Sequence, residues 1–597
     1  MKNLNIKMIL ASVAISATAL LPTTLGAQVP VAPIIMGAGS SALFNTLAIT
    51  AFENGVPGYP LCGPNHWTYK GGAVGSTTEI SIHDSRSALI VNEPGTIWIA
   101  WNGSADGTTG LTKVCAYLQV DSTVGVRAAM ARTAAGAPAA SAYLNPALAG
   151  VAGQNKVPNT SVVDSPLPAD VLSSVSGSLI TVAGADIRAE DAKFATGRVL
   201  AAQGASVSTV PWNGSLLNQL LGAKGLGYAN GANLFSCAGD NTTPIGYPIK
   251  SSQSTSTANT VDFALFGTDP VSCGAAAVSY HEYEIGAGPV MIFVNTSNSA
   301  EGHLGDANLT NINASVLAGF LDGTFSRTRD LFTNYAAGTL AAYPVSTFIR
   351  EPVSGTMNVL EYNIPNTNRY YTTQEKGVTG GPVGSANNPL ALANPNGFGG
   401  RYRTIGTGEE VSTVIKATNP DSLGYAFWSY GNFASVTSGS IARYLTVDGV
   451  DPLYSGPSAN PNGVGVFPLK SGSSYPVLTF PNIQNGSYPI WTVFRLVTVP
   501  EASAAWVNLF VANAQSNASA YSDFIPASSL NVFRSHFYQA SMGGDDGNTW
   551  DAADGVYYQE QGGDVGGQVF PIQADFDFIA DNIAQGRGVI GLLNRHN

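Results

Sequence analysis

Val31-Ala-Pro-Ile-Ile-Met-Gly-Ala-Gly-Ser-Ser-Ala-Leu-Phe-Asn-Thr-Leu-Ala-Ile-Thr-Ala51 holds the reading on which the fold turns. Its first six residues are apolar and strand-like. Leu43, Phe44, Leu47, Ala48 and Ala51 then recur at helical spacing. Between them, Gly37-Ala-Gly-Ser-Ser-Ala42 forms the turn. Glycines let a backbone bend sharply and approach a ligand, and a helix start offers N–H groups and a favourable dipole to an anion. The bland alternative is a plain strand-to-helix turn with serine as the cap.

The same alternation runs down the chain. Pro289-Val-Met-Ile-Phe-Val294 is a short continuous apolar run, the pattern of a strand covered on both faces. Val316, Leu317, Phe320 and Leu321 predict a helix, and Tyr343-Pro-Val-Ser-Thr-Phe-Ile349 a strand. Val411, Val414 and Ile415 mark another helix face, stopped by Asn419-Pro420, before Gly424-Tyr-Ala-Phe-Trp-Ser-Tyr430 resumes as strand. Trp506, Leu509 and Phe510 mark a late helix. Strand and helix in alternation predict α/β architecture.

The first residues predict export. Lys2 and Lys7 precede an apolar run from Met8 to Leu21, and small residues follow to Ala27, which is the order of a signal peptide over 1–27. No cysteine there could carry a lipid anchor, so the expected location is periplasmic or extracellular. The chain has 597 residues, of which 67 are Gly and only 11% are charged, with a formal charge of -12. Loss of Lys2 and Lys7 takes it to about -14. Such a charge argues against nucleic acid and anionic membrane surfaces. Any anion site must therefore be built from local dipoles and one or two buried cations.

Four cysteines, at 62, 115, 237 and 273, predict two disulfides, with three pairings open. No two are close and none stands beside a histidine, so no metal site is expected. Nor does the sequence hold a GxSxG, HExxH or Walker-type segment, and the six histidines are scattered. Neither an enzyme nor a bound cofactor is expected. Gly125 to about Gly177 is rich in Ala, Pro and Ser, and Lys376 to Gly400 in Gly, Asn and Pro. Both read as loose stretches.

Two further segments have chemistry. Arg350-Glu-Pro-Val-Ser354-Gly355-Thr356 follows a strand and opens a helix. Arginine presents paired planar donors, and Ser-Gly-Thr adds hydroxyls and helix-start amides that one oxyanion could touch together. Val261-Asp-Phe-Ala-Leu-Phe-Gly-Thr-Asp269-Pro270 places an acid after an apolar strand, where α/β ligand sites gather. A carboxylate can accept a hydrogen bond from a protonated oxyanion, which favours hydrogen phosphate over sulfate.

In this order the segments resemble the phosphate-binding proteins of bacterial high-affinity phosphate uptake, the PstS-like type 2 periplasmic binding proteins. Gly37-Ala-Gly-Ser-Ser-Ala42, Val261-Asp-Phe…Thr-Asp269-Pro, Pro289-Val-Met-Ile-Phe-Val-Asn295, Leu317-Ala-Gly-Phe-Leu-Asp-Gly323 and Arg350-x-x-x-Ser354-Gly-Thr356 carry the likeness. Gly406-Thr-Gly-Glu-Glu-Val…Leu423-Gly-Tyr425 and Tyr488-Pro-Ile-Trp491 extend it. The resemblance implies a two-lobed α/β fold with a ligand cleft between the lobes, and an ABC transporter membrane complex as partner. It implies ligand roles for Ser41, Ala42, Asp269, Arg350, Ser354, Gly355 and Thr356, with Ser252, or its neighbour Ser251, as a further serine. Ala42 stands where the family has an aromatic residue, and Pro352 where it has an acid near the arginine.

Lobe one is expected to combine 30–294 with 490–597, and lobe two to span 295–489. Residues 71–250 read as a large insertion in the first lobe, with strand-like Gly95–Trp101 and Val114–Val120 inside it. Within it, Ala185-Asp-Ile-Arg-Ala-Glu-Asp191 reads as a capped helix start with a local ion pair, in preference to a second Asp–Arg site. The expected function is capture of a small oxyanion, phosphate first. The alternative is an extracellular structural or interaction protein that keeps the fold without a ligand.

Overall fold

A computed structural model describes residues 32–52, 60–69, 97–119, 121–130, 167–187, 280–332, 342–350, 354–364, 399–404, 407–416, 420–437, 441–468, 476–521 and 523–534, with a few shorter strand and turn segments. Strand β1 (Ala32–Gly39) leads through a 3-10 turn into helix α1 (Phe44–Phe52). There follow β2 (Asn65–Tyr69), β3 (Ile97–Trp101), β4 (Lys113–Gln119), α2 (Ser122–Met130) and β5 (Val182–Ala185). The long β6 (His281–Asn295) precedes α3 (Ala314–Asp322), β7 (Ser346–Arg350) and α4 (Gly355–Asn363). Next come β8 (Gly400–Thr404), α5 (Thr407–Lys416), β9 (Ser422–Phe427) and β10 (Ala442–Val447). The return strand β11 (Trp491–Thr498) and α6 (Ala504–Tyr521) come last.

These strands form one continuous mixed sheet, ordered β8-β7-β9-β6-β11-β5-β1-β4-β3-β2. Every residue of β3, β9 and β11 is buried, as expected for apolar runs covered on both faces. β6 divides the sheet. Its first part pairs antiparallel with β11, from His281 opposite Thr498 to Pro289 opposite Trp491. Its last part pairs with β9, from Val290 opposite Phe427, and with β10. The handover falls at Pro289, which has no N–H to give to a ladder. Its carbonyl instead accepts from the Trp428 amide of the second half, at 3.0 Å.

The result is the two-lobed α/β arrangement expected from the sequence, with β6 and β11 at the seam. In lobe one, β1 runs parallel to β4 and β5. In lobe two, β7 runs parallel to β8 and β9. Residues 71–250, expected as an insertion, supply β3, β4 and β5 to lobe one, and β4 and β5 flank β1 directly. That stretch therefore contains central strands of the sheet.

Lobe one packs α1 against β3 and β4, with the Trp98 indole donating to the Phe44 carbonyl at 3.2 Å and stacking on Tyr117. One disulfide, Cys62–Cys115, ties β4 to the chain before β2, with Cα atoms 5.9 Å apart. Cys237, Cys273 and the leader 1–27 lie outside the described residues. Among the described residues, no helix is long and apolar enough to cross a membrane.

Candidate functional site

Parallel strands end together, so the residues beyond their carboxyl ends converge on one edge. In lobe one Gly39 lies opposite both Gln119 and Gly184, which brings the ends of β4, β1 and β5 level. Beyond them come Ser40 and Ser41, then Asp121 and Ser122, then Asp186. In lobe two β7 ends at Arg350 and β8 at Thr404, followed by the starts of α4 and α5.

Arg350 is the centre of the second half, with 2% of its surface exposed. Its backbone amide donates to the Tyr425 hydroxyl of β9 at 3.0 Å. Its Nη1 donates to Thr407 Oγ1 at 2.7 Å, and its Nε lies 4.0 Å from Glu410 Oε2. Glu410 is itself held by the Tyr425 amide at 2.8 Å and the Thr404 hydroxyl at 3.4 Å. Beside this group Ser354 caps α4, accepting from the Met357 amide at 3.5 Å. Ser354 and Thr356 are buried, and the first-turn amides of a helix have no partner within it.

The first half answers with acceptors. Ser122 Oγ donates to Asp186 Oδ1, and the Asp186 amide donates back to Ser122 Oγ at 3.3 Å. Thr492 of β11 donates its hydroxyl to the Asp186 carbonyl at 2.9 Å. Burial pushes the Asp186 carboxyl up to about 6, although the Ser122 hydrogen bond and the charges of Arg350 and Arg495 pull it down.

Among the described residues of the site, the halves meet in two places. Asp121 Oδ1 lies 3.4 Å from Arg350 Nη2, with both side chains buried. Gly355, the first residue of α4, sits against Asp186 and Ser122. A Cβ there would overlap Asp186 Oδ1 and come within 2.6 Å of Ser122 Oγ. Glycine is the residue that permits so close an approach.

Of the residues expected from the sequence, Arg350, Ser354, Gly355 and Thr356 share this corner of lobe two. Ser41 and Ala42 are half-buried in the 3-10 turn at the end of β1, which Ser40 caps by accepting from the Ala42 amide at 3.2 Å. The glycine before them has a packing reason. Gly39 has φ +143°, and a Cβ on it would run into the Gly184 carbonyl, which accepts from the Ser40 amide at 2.7 Å. Ser251, Ser252 and Asp269 lie outside the described residues. Val261 to Phe263 are described, in a two-stranded pairing with Ile245–Pro248 outside the main sheet.

Asp186 stands at the meeting of the lobes with Ser122 as partner, while Arg188, Glu190 and Asp191, the rest of the expected capped helix start with its ion pair, lie outside the described residues. Asp121, Ser122, Thr407 and Glu410 were not expected from the sequence. The available signal was position: Asp186 follows a buried strand at once, Asp121-Ser122 follow one after a single residue, and Thr407-Gly-Glu-Glu410 opens a helix after one.

No protein-family model matches the chain, and no curated protein matches it. Solved structures with local likeness include an ABC-type phosphate transport receptor from Vibrio cholerae, at 16% identity. It covers 42% of this chain and 75% of that one, with a TM-score of 0.25. PstS from Borrelia burgdorferi is 14% identical over 41% of this chain and 72% of its own, at a TM-score of 0.24. A phosphate-binding protein from Stenotrophomonas maltophilia is 13% identical over 42% and 68%, also at 0.24. Overlap this slight has no bearing on what the chain does, and the two-lobed architecture rests on its own strand pairing.

Proposed function

We propose that the chain is a solute-binding protein, not an enzyme, that closes its two lobes on a small oxyanion, phosphate first. One observation supports this above the others. Arg350 and the start of α4 on one lobe face Ser122 and Asp186 on the other, at the carboxyl edges of parallel strands. Donors on one side and acceptors on the other suit a ligand that has both oxygens and a proton. Arg350, Ser354, Gly355 and Thr356 would donate to the oxygens, and Asp186 would accept a hydrogen bond from the ligand's O–H. Ser41 and Ala42 would line the lobe-one edge, and Ser252 and Asp269 remain candidates from the resemblance. Entry requires the lobes to part, because Asp186 and Ser122 rest on Gly355 in the closed arrangement. Export to the periplasm or cell exterior and delivery to an ABC transporter complete the proposal.

Titration calorimetry on the full chain tests it. Phosphate should bind, sulfate more weakly, and Arg350→Ala should weaken phosphate by roughly tenfold or more, since a charge-assisted contact is worth about 1.5 kcal/mol or more. Unchanged affinity in that variant would remove Arg350 from the site.

A second reading has its own observation. Asp121, Asp186 and Glu410 all stand near Arg350, a local excess of acid that opposes a dianion. A protein that keeps the fold and has lost the ligand would fit it. Thermal shift with phosphate, sulfate and arsenate separates the two, since a ligand of the native state must raise its melting temperature.

A further inference from the structure

Asp121 of lobe one reaches across the seam to Arg350, at 3.4 Å, with 6% of its side chain exposed. It is placed there by local structure. β4 ends at Gln119, and Asp121 stands immediately before α2, its carbonyl accepting from the Gly125 amide at 2.9 Å. Arg350 is fixed from the other side by Thr407, Glu410 and Tyr425. The pair is thus a rigid contact between two separately anchored groups. A buried pair of this kind is strong only while both partners stay together.

We infer that Asp121 is an affinity-determining residue: its carboxylate occupies Arg350 in the empty protein, holds the cleft shut, and must be displaced by an incoming anion. An anion and Asp121 compete for the same guanidinium N–H groups. Closure without ligand and affinity for ligand are therefore linked through one side chain, and the affinity half of this inference rests on the oxyanion reading of the site.

Asp121→Asn keeps the size of the side chain and its capacity to sit before α2, and removes the charge. Two measurements on the full chain decide the matter. In small-angle scattering without ligand, the variant should show a larger radius of gyration than the parent protein, and Arg350→Gln should open it in the same way. In calorimetry with inorganic phosphate, Asp121→Asn should bind at least about fivefold more tightly, the lower end of ordinary coupling between linked equilibria. Unchanged scattering in both variants overturns the inference. So does weaker phosphate binding in Asp121→Asn, which would mean that Asp121 orients Arg350 for the ligand. If neither parent nor variant binds phosphate, the oxyanion reading fails, while scattering alone still decides whether Asp121 closes the cleft.

Discussion

Lobe one and lobe two present opposite chemistry at the same kind of edge. Beyond the ends of parallel strands β4, β1 and β5 stand Asp121 and Asp186, which accept, with Ser122 donating to the latter. Parallel strands β7 and β8 end in Arg350 and the starts of α4 and α5, which mainly donate. The lobes also differ in how they are held. Lobe one has a disulfide, and its buried Asp186 is held by one serine; in lobe two the buried Glu410 accepts from a backbone amide and a threonine hydroxyl. Arg350 already has Glu410 beside it in its own lobe, and the meeting of the lobes adds Asp121 to the same guanidinium. In a chain of formal charge -12, an anion bound here would have to take Arg350 from Asp121, so the field that favours it is local and depends on that exchange.

Removing the disulfide should break this comparison most strongly. Cys62→Ala with Cys115→Ala frees a loop of 53 residues, a loss of about 4 kcal/mol on the chain-entropy account. Hydrogen exchange should then speed up in β4 and change far less in β9. Equal acceleration in both would mean that the lobes share a single stability.

Asp186→Asn sharpens it next. The native carboxyl titrates near 6 against an ordinary 3.8, so the folded chain holds the extra proton between those values. Stability from this group is therefore lost as pH rises through that window, by roughly 3 kcal/mol in full. The variant should melt higher than the parent at pH 7.5 and equally at pH 3.5. A constant difference across pH would refute a buried, strained carboxylate at this position.

Ser354→Ala should have the smallest effect, about 1 kcal/mol in denaturant unfolding, through loss of the α4 cap in lobe two. No loss would show that α4 is held by packing alone.

In lobe two, the Arg350–Thr356 part of the candidate site was legible because it is contiguous, whereas Thr407 and Glu410 reach Arg350 only through the fold. Arg350 to Thr356 fall in one strand-to-helix turn, and their spacing is visible in a single line of sequence. The lobe-one half is not local. Ser122 and Asp186 are 64 residues apart and meet only because β4 and β5 both flank β1. β5 reads Val182-Ala-Gly-Ala185, a run with little strand propensity of its own, buried by its neighbours rather than by its composition. Asp269 follows a more apolar run and is the more visible acid in sequence. The fold class was legible from the alternation of elements, but the strands within 71–250 were set apart by the loose stretches between them.

The place of β11 has a consequence for the order of synthesis. It lies between β6 and β5, with Arg495 opposite Ala185 and Thr492 bonded to a residue 306 positions earlier. Lobe one therefore cannot complete its sheet until residue 498 has left the ribosome. The main strands of lobe two all lie between residues 290 and 447 and are available sooner. A chain usually matures from its amino terminus onward; here the second lobe can fold first, and the amino-terminal one must wait for a strand that emerges after it.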